Sequence, residues 1–145
     1  MIGTVIPTFI QNSENLLHLR RALDSINNQN TKPKILIIGL GDISIGYNFN
    51  TDLDCFRTHA YSINEFSKRL TLGFSLYGVD PDVKKIDRAK KSGLFCEANL
   101  FGNVEDLPKI EFDLILICTP ISSLNGVLLQ VFKELNFKKI FVEKP

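Results

Sequence analysis

Excess charge of either sign, long apolar runs and paired cysteines are all scarce in this chain, and each scarcity removes a class of function. Lys and Arg number 17 against 16 Asp and Glu, a formal net charge of +1, and no basic stripe interleaved with aromatics runs through the sequence. The electrostatic footprint that a nucleic-acid backbone demands is missing, so nucleic acid is not an expected partner. The longest apolar runs, such as Leu114 to Cys118, are strand-sized and far below the roughly 20 residues of a membrane-spanning helix. The first residues show neither a basic segment followed by a long apolar stretch nor a small-residue cleavage site, and a cytoplasmic location is expected. Cys55, Cys96 and Cys118 are odd in number and widely spaced, which fits reduced thiols better than a disulfide frame. Cys118 lies within an apolar run and reads as a small core residue. Cys55 and His59 stand four apart and can share a helix face, but a zinc site needs further ligands, and no metal is expected. No internal repeat is visible.

What is present is enough apolar residue, 44% of 145 positions, to build the core of one domain. From Lys34 onward strand-like and helix-like segments alternate, which argues for an α/β fold with a Rossmann-like, doubly wound parallel sheet. Lys34 to Ile38 reads as a buried strand. Asp42 to about Arg57 lacks helical periodicity and reads as an inserted loop, followed by a helix from about Thr58 to Leu70. Phe74 to Val79 is the second strand, and Pro81-Asp82 starts a charged helix that Gly93 closes. Leu94 to Cys96 reads as a short third strand and Asn103 to Leu107 as one helical turn. Phe112 to Cys118 is the central strand, ended by Thr119-Pro120. Ile121, Leu124, Leu128, Val131 and Leu135 form one stripe on a helix from Ser122 to about Leu135, and Lys139 to Val142 is the last strand.

Residues 1–33 read as a separate N-terminal extension. Val5-Ile6 is strand-like, Leu16, Leu19, Leu23 and Ile26 mark an amphipathic helix capped by Asn12 or Ser13, and Asn27 to Pro33 reads as a linker. The extension is expected to be dispensable for a nucleotide site in residues 34–145. Because the sequence stops at Pro145, no second, substrate-binding domain is expected.

The turn after the first of these strands, Gly39-Leu40-Gly41-Asp42-Ile43-Ser44, carries the chemistry. Glycines after a buried strand allow a tight turn and close approach of the backbone to a pyrophosphate held at the next helix N-terminus. Gly39, Gly41, Asp42 and Ile43 are therefore candidate cofactor-binding residues, with Ser44 standing where the usual pattern has a third glycine. Asp80 ends the second strand, where a carboxylate accepts the ribose hydroxyls of an adenosine and repels a 2′-phosphate. No arginine follows it immediately, so NAD is favoured over NADP. Asp80 also reads as a helix N-cap before Pro81, and the two roles can coexist. Thr119 and Pro120 end the fourth strand, either as a simple terminator or as groups presented to a nicotinamide ribose. Glu143 and Lys144 lie at the far end of the same sheet, where Lys144 either faces the nicotinamide or is a solvated lysine. His59 reads as a surface or packing histidine.

Taken in order, Ile38-Gly39-Leu40-Gly41, His59-Ala60, Gly78-Val79-Asp80-Pro81-Asp82, Cys118-Thr119-Pro120 and Val142-Glu143-Lys144-Pro145 resemble the Gfo/Idh/MocA family of nicotinamide-dependent oxidoreductases over residues 34–145. The resemblance implies that Gly39, Gly41 and Asp80 bind the cofactor and that Thr119 and Pro120 line its nicotinamide side, with Glu143 a further candidate cofactor-binding residue. It makes Lys144 the catalytic residue reaching the substrate. It further implies an oxidoreductase acting on a CH-OH group of a sugar or nucleotide sugar, with a homo-oligomer left open. Leu124 stands where many members carry a histidine, and without a second domain the chain alone is expected to be catalytically incomplete. A non-catalytic dinucleotide-binding module is the alternative. Residues 4–9 and 19–29 are similar to the start of family 2 glycosyltransferases, which implies a nucleotide-sugar transferase fragment or remnant.

Overall fold

The computed structural model describes residues 4–8, 13–27, 31–45, 58–70 and 73–143, with the side chains of the first two segments limited to Leu17–Ile26. Along the chain run β1 (Thr4–Thr8), α1 (Ser13–Asn27), β2 (Lys34–Ile38), α2 (His59–Ser67), β3 (Ser75–Val79), α3 (Val83–Ser92), β4 (Leu100–Phe101), β5 (Glu111–Phe112), β6 (Leu114–Ile117), α4 (Ile121–Glu134), β7 (Asn136–Phe137) and β8 (Lys139–Glu143). Six strands form one sheet in the order β4-β3-β2-β6-β8-β1, and every neighbouring pair is parallel. This is a Rossmann-like arrangement: from β2 the chain winds outward to β3 and β4, then returns to the other side of β2 for β6 and β8.

The apolar runs are continuous because both faces of the sheet are covered. The two-residue period of a strand sends Ile35, Ile37, Leu114, Leu116 and Phe141 into a layer with Leu23, Ala60, Ile63 and Ala89 of α1, α2 and α3. The intervening Leu36, Ile38, Ile115, Ile117 and Ile140 pack with Val104 and with Val131 and Leu135 of the α4 side. Asp82 caps α3 by accepting from Lys84 N at 2.9 Å, and Gly93 ends it in the left-handed conformation at φ 70°.

Three expectations change. Leu94 to Cys96 is not a strand. Phe95 is instead buried against Gly78, a 3₁₀ turn at Glu97–Asn99 follows, and the third strand is β4, paired through Gly78 and Val79. The stretch Phe112 to Cys118 is broken at Asp113, whose buried carboxylate accepts from Lys34 N at 2.8 Å and Lys138 Nζ at 2.7 Å. This leaves β5 to pair with β7 in a separate two-stranded sheet.

The largest change concerns residues 1–33. β1 is hydrogen-bonded along β8 from Thr4↔Lys139 to Thr8↔Glu143, and Leu19, Ala22, Leu23 and Ile26 are buried in the core. The segment is thus the sixth strand of the sheet and a covering helix, not an extension outside the unit. Its stripe was legible. Its destination depends on a sheet edge more than a hundred residues away in sequence, and local pattern carries no information about that.

Candidate functional site

A cleft of about 680 Å³ opens at the carboxyl ends of β2, β3, β6 and β8, the crevice where the direction of winding reverses and where open α/β sheets bind ligands. It gathers Gly39, Gly41, Asp42, Ile43, Asp80, Thr119, Pro120 and Glu143, so every cofactor residue expected from the sequence lies in its wall. Lys144 falls outside the described residues, as does Cys55. Among the described residues there is no cluster of three His, Cys, Asp or Glu side chains able to hold a metal, and no helix is long and apolar enough to cross a membrane.

The glycine turn is fixed from three sides. Gly39 N donates to Val79 O at 2.8 Å and Cys118 N to Ile38 O at 2.8 Å, while Arg88 Nη2 donates to Leu40 O at 3.0 Å. Gly39 adopts φ 90°, and a Cβ there would lie 2.8 Å from the Cys118 carbonyl oxygen. Its lack of a side chain is a condition of the sheet closing at this point. Gly41 is different, because a Cβ there meets none of the described residues within 4 Å.

Downstream of Gly41 the expected inserted loop resolves into something more informative. Ile45 N donates to Gly41 O at 3.0 Å, His59 N to Ile43 O at 3.2 Å and Ala60 N to Ser44 O at 2.9 Å. The hydrogen-bond ladder of one helix therefore passes from residues 41–45 directly onto α2, and the chain leaves at Ile45 and returns at Thr58. Residues 46–57 lie outside the described residues. The helix that follows β2 thus starts at the glycine turn itself. Among the described residues no acceptor takes the N–H groups of Gly41, Asp42 or Ile43. These are the orphan donors of a helix N-terminus, carrying its partial positive charge.

Asp80, 3% exposed, accepts from Leu40 N at 2.7 Å through Oδ2 and from Asp82 N at 2.9 Å through Oδ1. The Lys85 ammonium lies 3.6 Å from Oδ2. Asp80 braces the turn against the start of α3, while the helix cap proper is Asp82. A carboxylate has about four acceptor positions, so hydroxyl groups of a ligand can still be received.

At the other end of the cleft the structure reveals a pair that the sequence reading did not assemble. His59 is fully buried, and its Nε2 lies 2.8 Å from Glu143 Oε2, with Glu143 itself 4% exposed. The ring meets Phe141 edge-on at 5.7 Å between centroids. A local sign existed: strand alternation puts Glu143 on the face of Phe141, the face α2 covers. The partner, 84 residues away, had none.

No protein-family model matches the chain, and no curated protein matches it significantly. Among solved structures, a dimethyladenosine transferase from Plasmodium falciparum is similar at 16% identity and a TM-score of 0.47, over 89% of this chain and 40% of that one. The chain therefore spans well under half the length of that protein.

Burial lowers the pKa of His59, against the opposing hydrogen bond and charge of Glu143. The neutral ring then donates from Nε2, and Nδ1, which has no partner among the described residues, carries only a lone pair. Burial, and secondarily the charge of Glu143, push the Cys118 thiol up, so it stays protonated. The His59 shift has a consequence for stability. Below the ordinary value of 6.5 the unfolded chain takes up a proton on this histidine that the folded chain refuses, so stability falls as pH drops through that value. The thermal midpoint is expected to fall between about pH 7.5 and about pH 5.5, and the fall should shrink in His59→Gln. An equal fall in both proteins would show that other groups govern it.

Proposed function

We propose that the cleft binds a nicotinamide dinucleotide and that the chain is the cofactor-binding part of an oxidoreductase acting on a CH-OH group of a sugar or nucleotide sugar. The observation that carries the reading is the set of N–H groups at Gly41, Asp42 and Ile43 with no acceptor among the described residues, beside the Asp80 carboxylate on the neighbouring strand. An anion of pyrophosphate size suits the first, and a ribose diol the second. The exposed Asp42 carboxylate, which would repel that anion, is offset by Arg88 Nη1 at 3.4 Å. Val104 and Val127 in the cleft wall offer an adenine apolar contact, with Asn103 and Gln130 as polar neighbours. The acidic Asp80 favours NAD over NADP.

When bound, the nicotinamide supplies hydride acceptance or donation. The chain's own residues bind and orient it, and the resemblance to Gfo/Idh/MocA proteins assigns the approach to substrate to Lys144. Calorimetric titration with NAD, NADP and nucleotide sugars tests the reading. Saturable heat with NAD is expected, and Asp80→Ala should weaken it by about 1–3 kcal/mol, the range for a charge-assisted hydrogen bond. Binding of a nucleotide sugar with no response to NAD would overturn the dinucleotide reading and favour a transferase-type site. Absorbance of reduced cofactor, followed against a panel of sugars, separates an oxidoreductase from a module that only binds.

A further inference from the structure

Two buried oxygens at the β6–β8 end of the cleft have no hydrogen-bond partner among the described residues: Glu143 Oε1 and Thr119 Oγ1. Both residues line the cleft. Orphaned buried polar atoms are uncommon because each costs the desolvation of its group, and here the two have complementary capacities. Oε1 of the carboxylate accepts, and the threonine hydroxyl can donate. Neither is free to turn away. The Thr119 methyl faces Gly39, since a Cβ on Gly39 would lie 3.1 Å from Cγ2, and the other Glu143 oxygen is held by His59.

We infer that His59 is a positioning residue: it holds one oxygen of Glu143 so that the other, together with the Thr119 hydroxyl, receives the carboxamide of the nicotinamide. The inference rests on the dinucleotide reading above. A ligand with its ribose on Asp80 and its pyrophosphate over Gly41–Ile43 extends its remaining end toward β6 and β8. A carboxamide presents N–H donors and a carbonyl acceptor in one plane, which matches one acceptor and one donor on adjacent strand ends. A carboxylate in its place would set two acceptors against each other.

The test compares NAD, nicotinic acid adenine dinucleotide and ADP-ribose by calorimetry, with affinity as the readout. The wild-type protein is expected to bind NAD about tenfold or more tightly than its acid analogue, as loss of one charged hydrogen bond implies. Glu143→Gln should bring the two within about threefold of each other, and ADP-ribose, which lacks the carboxamide, should bind as before. His59→Gln keeps a donor near the Nε2 position and should preserve the discrimination, whereas His59→Leu should lose it. Thr119→Val should weaken NAD but not ADP-ribose, and serves if His59→Leu does not fold. Equal affinity of the wild type for NAD and its acid analogue, with ADP-ribose binding intact, would overturn the inference alone. So would full discrimination in a folded His59→Leu or an unweakened Thr119→Val. Absence of binding by both NAD and ADP-ribose would overturn the dinucleotide reading along with it.

Discussion

Deletion of residues 1–32 is expected to unfold the protein, not to release a smaller nucleotide-binding core. The deletion strips β8 of its neighbour along five residue pairs, and it removes Leu19, Leu23 and Ile26 from the core. Burying each such side chain contributes about 1.5–3 kcal/mol, so three of them are of the order of the whole stability of a small domain, about 5–15 kcal/mol. The polar tie from the Lys139 ammonium to the Ser25 hydroxyl is lost as well. The exposed edge of β8 and the bared apolar layer would favour aggregation. The check is circular dichroism and size-exclusion chromatography of the truncated chain. A cooperative thermal transition in a soluble, monomeric fragment would refute it. A milder form is Leu23→Ala, expected to cost roughly 2–5 kcal/mol as a buried Leu-to-Ala change.

The second large effect separates two glycines that look alike in the sequence. Gly39→Val should be severely destabilising, because φ 90° is strained for any residue with a side chain and the new Cβ would collide with the backbone of Cys118 at 2.8 Å. Strain of about 1–3 kcal/mol adds to overpacking of about 1–3 kcal/mol, and hydrogen bonds from both neighbouring strands keep the backbone from yielding. At roughly 2–8 °C per kcal/mol for domains near this size, the thermal midpoint should fall by about 10 °C or more. Gly41→Val should leave the midpoint within a few degrees, since its Cβ points into open space. Gly41 also lines the cleft, so on the proposed reading the same change should weaken NAD binding strongly. A stable Gly39→Val, or a Gly41→Val that binds NAD normally, would show that these roles are wrongly divided.

Lys34–Ile38 breaking into glycines, the carboxylate at the tip of the next strand, and Thr119-Pro120 after a strand were all readable, because each is a local pattern with a local cause. A buried parallel strand is a short apolar run, a tight turn needs glycine, and a proline ends pairing. The parallel sheet followed from the alternation of those runs with amphipathic segments, and the wall of the cleft followed from the sheet, since strand ends converge wherever the winding reverses. Phe95 shows the limit of such patterns, because a buried aromatic looks the same in a strand and in a loop packed on a glycine.

The sequence by itself therefore determined the sheet's central strands, the glycine turn and the set of residues brought to its carboxyl edge. Only the tertiary structure decided that residues 13–27 cover that sheet, that the turn at residues 41–45 hydrogen-bonds directly onto the start of α2, and that His59 faces Glu143 across the core. In each of these three cases the deciding energy lies in burial or hydrogen bonding between segments far apart in the chain. A stripe on a helix or the alternation of a strand shows that a face is buried, but nothing at either partner names the other, and the contacts exist only once the sheet has brought the two segments together.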